Sequence, residues 1–123
     1  MNEQQSAIFY TGMYGEIHKN EAVRWYNSLR RFAEERRRPV IALVDLNAVT
    51  FIGGTARVQL ADVTRLPCLK SLIFISTQPH ILQAIRMIGM LGERGTTYAF
   101  PNRTEAADFA RREWGVDFET AKA

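Results

Sequence analysis

Cysteine is almost absent from this sequence. Cys68 is the only one, so no disulfide can close within the chain. Histidine is nearly as scarce: His18 and His80 are the only two, and with Cys68 they show no metal-ligand spacing. No Asp or Glu cluster follows a calcium-loop pattern. Cys68 sits just after Pro67, and neither histidine is near it in sequence, so a cysteine nucleophile with a histidine base has no local support. Glycine motifs that cradle phosphates are missing, and Gly92-Glu93-Arg94-Gly95 reads as a helix stop and loop. Paired carboxylates suited to acid–base work are not evident. These absences argue against an enzyme and against a metal or cofactor.

Long apolar runs are lacking as well. Val40–Leu46 and Ser71–Ile75 fall far short of the roughly 20 residues a bilayer requires, so no membrane insertion is expected. Met1–Ser6 has neither the basic start nor the apolar core of a signal peptide, and with the lone cysteine this sets a cytoplasmic location as the expectation. No repeat, linker or low-complexity segment divides the sequence.

What is present is an ordinary globular composition over 123 residues, which predicts one domain, residues 1–123, with the tail 115–123 loosely held. The net charge of +3 is a weak signal for nucleic acid. Much of the basic excess is Arg30-Arg31 and Arg36–Arg38, interleaved with Glu34-Glu35, and reads as a solvated helix face with i,i+4 ion pairs. A nucleic-acid partner is therefore not the expectation.

Residues 7–17 read as extended, either one strand with a bulge at Gly12 or a short hairpin. Asn20 is a good N-cap for a first helix with an apolar stripe through Ala22, Trp25, Tyr26, Leu29, Phe32 and Ala33, which Pro39 stops. Val40–Leu46 lacks alternation and reads as a strand buried on both faces. Asp45 at its end reads as a carboxylate that binds the next turn. Asn47–Thr50 is expected as a connecting turn, and Phe51-Ile52 as a return to the core. A second helix follows over roughly 55–65 with Val58, Ala61 and Leu60 facing inward. Leu72–Ile75 is a second buried strand, and Pro79 suits the first turn of a third helix with the stripe Ile81, Ala84, Ile85, Ile88 and Leu91. Met87 and Met90 flank that stripe and read as core filling or as an adaptable contact surface. Thr96–Phe100 is the last strand. Asn102 or Thr104 caps a fourth helix carrying Ala106, Phe109, Ala110 and Trp114. Strands alternating with helices predict an α/β fold with a mostly parallel sheet of four to five strands and about four helices. Its working surface is expected at the carboxyl ends of the strands, where Val40–Leu46 leads into Phe51–Ala56.

In that segment Gly53-Gly54 permits positive φ and close backbone approach. Thr55 stands at or near a helix N-terminus. Its hydroxyl is either a cap or, at the positive end of the helix, a place for an anion or for a phosphate on Thr55 itself.

The run Val44-Asp45-Leu46-Asn47-Ala48-Val49-Thr50-Phe51-Ile52-Gly53-Gly54-Thr55-Ala56 resembles the signature of STAS domains, the anti-sigma-factor-antagonist family. The usual form there is a hydrophobic strand, Asp-Leu-Ser, a short turn, Phe-Ile, then Asp-Ser-Ser-Gly opening a helix. Gly15-Glu16-Ile17 resembles the family's Gly-Glu-Leu. Gly89-Met90 resembles the Ser-Gly-Leu end of its third helix, and Phe100 and Ala106-Ala107 its last strand and helix. The likeness spans residues 8–114. The departures lie in the phosphorylation motif: Gly53 replaces the Asp, Gly54 the first Ser, Thr55 the phosphoacceptor Ser and Ala56 the Gly.

The resemblance implies a single STAS-like domain that acts as a non-enzymatic regulatory module. It implies a protein partner, such as a kinase-type anti-sigma factor, held through Phe51, Gly53, Gly54, Thr55, Ala56 and Arg57 and the nearby helix positions Gly89 and Met90, with Thr55 as candidate phosphoacceptor. Arg57 either pairs with that phosphate or faces solvent. The alternative is a sensor of a small ligand, whether anion, nucleotide or lipid, at the glycine turn, with a pocket formed by Phe51, Tyr98 or Met90. Exposed sheet edges also leave room for a homodimer.

Overall fold

One parallel sheet organises residues 6–115, the part of the chain that the computed structural model describes. The elements are β1 (Ala7–Ile17), α1 (Lys19–Arg36), β2 (Val40–Ile52), α2 (Gly54–Val63), β3 (Leu69–Ile75), α3 (Pro79–Leu91), β4 (Thr97–Phe100) and α4 (Arg103–Trp114). The expected α/β alternation is present, with four strands, all parallel, and four helices. The expected loose tail falls outside the described residues, except for Gly115, which closes α4 in the left-handed region at φ 67°.

The strand order is β1-β2-β3-β4. Every crossover steps to the next neighbour in the same direction, so connections of one hand keep α1, α2 and α3 on one face. That face holds the larger core, including Trp25, Leu29, Leu46, Ile52, Leu60 and Phe74. α4 folds back over the other face, where Ala106, Ala107 and Ala110 cover Ile41, Leu43, Ile73 and Ile75. The strand order never reverses, so no switch-point crevice opens at the carboxyl ends.

Relief at that edge comes from β2 instead. β2 pairs with β3 only as far as Asp45, which faces Ile75, but follows β1 to the pair Ile17–Ile52. The turn expected at Asn47–Thr50 is therefore strand, because β1 runs alongside as one strand, not as a hairpin. The register shifts between Gly12 and Tyr14 and again between Gly15 and Glu16, and each time the extra residue lies on β2. Gly15 needs its glycine there, at φ 73°. On its other side the extension has no strand. Gln78 donates from Nε2 to the carbonyls of Asn47 (3.3 Å) and Val49 (2.8 Å), and His80 Nε2 lies 2.9 Å from the Thr50 carbonyl oxygen.

Several expected positions move. α1 is capped by His18, not Asn20: its backbone N–H donates to Glu21 Oε1 at 2.9 Å. The helix starts early because Ile17, still paired with Ile52, turns directly into it. Val58 is exposed, since the inward face of α2 is Ala56, Leu60, Ala61 and Val63. Leu91 is exposed at the end of α3, while Ile81, Ala84, Ile85 and Ile88 are buried as expected. Met87 and Met90 are exposed too, which excludes core filling for both. Asn102 caps α4 by accepting the Glu105 N–H at 2.9 Å. Asp45 accepts the Asn47 N–H at 2.9 Å, as the sequence predicts.

Candidate functional site

The bulges decide which side chains the end of β2 offers. A regular strand alternates its faces, but an extra residue puts two neighbours on one side. From Leu46 to Ile52 the buried positions are Leu46, Val49 and Ile52, with exposed pairs Asn47-Ala48 and Thr50-Phe51 between them. Phe51 is thus exposed, 44% of its surface open, and does not return to the core. Its ring leans on His18, with centroids 5.8 Å apart.

His18 is the residue at this site that no sequence pattern singles out. It ends the β1–α1 junction with its Nε2 2.9 Å from Glu16 Oε1. Its Nδ1 would lie 3.5 Å from a Cβ at Gly53. Only the pairing of Ile17 with Ile52, and the Gly53 N–H donating to the Ile17 carbonyl at 2.9 Å, bring it there. Glu21 on the same junction is held below the ordinary carboxylate range, first by the His18 N–H, then by its own backbone N–H, with Arg24 adding to the effect.

The chain then turns into α2 at Gly53, the N-cap, in an extended conformation at φ −68° and ψ 163°. Neither Gly53 nor Gly54 adopts positive φ. A Cβ at Gly53 would meet only ordinary contacts, and one at Gly54 would meet nothing within 4 Å. The positive φ that the glycine pair permits is thus not used here, and neither position is crowded enough to demand glycine. Their effect is to leave the helix start bare, because no side chain caps α2. Thr55 is the second residue of the helix, exposed, and does not serve as its cap.

Arg57 neither faces solvent freely nor points at Thr55. Its Nε donates back to the Ile52 carbonyl at 2.9 Å, and its Nη1 lies 3.6 Å from Met87 Sδ on α3. The guanidinium fastens the strand end to the helix and ties α2 to α3. Met87 is exposed, and so are Phe51, which precedes Ile52 on β2, and Val58, which follows Arg57 on α2. Ala56 is buried beneath.

Gly89 and Met90 go elsewhere. They line an open cleft between α3 and β4 with Leu82, Arg86, Thr97 and Tyr98. Tyr98 and Met90 thus share a cleft, but Phe51 at the turn is not among its lining residues. Met87, not Met90, is the α3 methionine that adjoins the turn. Among the described residues no helix is long and apolar enough to cross a membrane.

No protein family model and no curated protein matches the chain. Among solved structures it is similar to an uncharacterized protein of the DUF3478 family with a SpoIIAA-like fold from Shewanella loihica PV-4. The two share 13% identity over 80% of this chain and 79% of that one, with a TM-score of 0.57. The chain has a SpoIIAA-like fold, in agreement with the STAS-like architecture that its sequence resembles.

Proposed function

We propose, with the SpoIIAA-like fold as premise, that this chain is a non-enzymatic regulatory module that docks a protein partner on the start of α2. The observation that carries the reading is the exposure of Phe51 and Val58 on either side of an exposed Thr55 at an uncapped helix start, with exposed Met87 tied to the same helix through Arg57. Exposed apolar groups clustered within a polar surround mark protein contacts. The STAS resemblance points the same way and suggests a kinase-type anti-sigma factor as the partner.

Thr55 is the natural control point. A phosphate there would sit at the positive end of α2, which favours it. It would also place close to two negative charges beside apolar contacts, which opposes docking through desolvation. Arg57 is already committed to Ile52 and Met87, so the phosphate would meet helix N–H groups and not a guanidinium.

The test pairs phosphorylation with binding. The protein is incubated with a kinase-type anti-sigma factor, and phosphate is mapped by mass spectrometry. Phosphate on Thr55 and weaker partner binding by Thr55→Glu are expected. Phosphate uptake and partner binding that are both unchanged in Thr55→Ala would remove the switch. A bound small anion at the same turn, with no protein partner, would replace docking by ligand sensing.

A further inference from the structure

The other end of α1 carries a feature unrelated to the turn. A cleft of about 410 Å³ lies between the last turns of α1 and the segment entering β3. Ala33, Leu66, Pro67 and Cys68 form an apolar floor, and Arg30 and Arg37 stand on the rim with Glu34. The size falls within the range of small-ligand sites. The i,i+4 ion pairs that the sequence suggests do not form: neither Arg30 nor Arg37 has an ion pair or side-chain hydrogen bond among the described residues.

Arg37 is also the only non-glycine residue at positive φ among the described residues, at φ 55° and ψ 38°. It closes α1 as a left-handed C-cap, with its N–H donating to the Ala33 carbonyl at 3.0 Å. That position favours glycine, and α4 ends in the same way with Gly115. An arginine held where glycine would be less strained directs attention to its side chain.

We propose that this cleft binds a small amphiphilic anion, an apolar chain ending in a carboxylate or phosphate. The chain would lie on Ala33, Leu66, Pro67 and Cys68. The headgroup would take the two guanidiniums, whose planar donors suit either oxyanion. Glu34 leaves the rim with one net positive charge, which fits a singly charged head.

Cys68 lies half-buried in the floor and reports on occupancy. Octanoate and octyl phosphate are the probes, and iodoacetamide alkylation of Cys68 in the folded protein is the readout. At a concentration of about ten times the Kd, a bound ligand should slow alkylation about tenfold. Acetate, inorganic phosphate and octylammonium should not, and the stronger of the two anions identifies the headgroup. Arg37→Gly should fold at least as stably and lose the protection; Arg30→Gln should weaken it without unfolding. The proposal is overturned if neither anion slows alkylation, if octylammonium protects as well, or if Arg37→Gly keeps full protection.

Discussion

Arg57 on α2 reaches back to the last residue of the preceding strand, its Nε 2.9 Å from the Ile52 carbonyl oxygen. One half-buried charged donor thereby satisfies a carbonyl at the β2–α2 corner and sets where the turn sits. Arg57→Met keeps much of the stem and removes the donor. A loss of about 1–2 kcal/mol in urea unfolding is expected. No loss would mean that the corner stands without it.

Gly92 offers a sharper test of packing. A Cβ there would lie 2.5 Å from Thr64 Oγ1 and 3.0 Å from the Ala61 carbonyl oxygen. Thr64 cannot easily give way, because its buried hydroxyl donates to that same carbonyl and accepts the Glu93 N–H, both at 2.6 Å. Gly92→Ala should cost about 1–3 kcal/mol. Gly54→Ala, by contrast, meets open space inside a helix and should be neutral or stabilising by up to about 1 kcal/mol. Equal effects of the two, in parallel urea titrations, would contradict this packing.

Gly53→Asp restores the acid that the STAS signature carries at the N-cap, where Asp is preferred over Gly. The space is adequate, with ordinary contacts only to His18, Phe51 and Ile17. A gain of a few tenths of a kcal/mol is expected. If Asp at this position also serves kinase recognition, Gly53→Asp should raise phosphate uptake at Thr55, read by mass spectrometry.

Glu21 predicts an acid dependence. Its carboxyl, hydrogen-bonded to the His18 N–H, titrates below its ordinary value of 4.5. Between the folded and unfolded values the unfolded chain binds more protons, so stability rises with pH there. The contribution is fully present above 4.5 and is lost as pH falls through the lower, folded value. Glu21→Gln should flatten the fall in stability below that pH while leaving the neutral range nearly unchanged in slope. An identical acid limb in both proteins would contradict it.

Much of the fold was legible because it rests on local pattern. The unbroken apolar run Val40–Leu46, Pro79 in a first turn and the stripe Ile81–Ile88 each carry a signal within a few residues. The site was legible only as a place in the sequence. Phe51 was expected in the core because alternation cannot reveal a bulge on β2, which depends on how β1 lies beside it. His18 joined the turn through a pairing thirty-five positions away in sequence, Ile17 with Ile52, which no short-range pattern contains. The glycine pair leaves φ open for a related reason: glycine allows positive φ without requiring it, and neither Gly53 nor Gly54 adopts it.

The most direct test concerns the exposed residues Val58 and Met87 near the start of α2. A photocrosslinking amino acid is placed at Val58, at Met87 and, as a control, at Lys70, which lies over Trp114 at the end of α4. Docking at the start of α2 predicts one protein captured from Val58 and Met87, not from Lys70, and lost when Thr55→Glu is added. Capture that is equal at all three positions, or unaffected by Thr55→Glu, would contradict it.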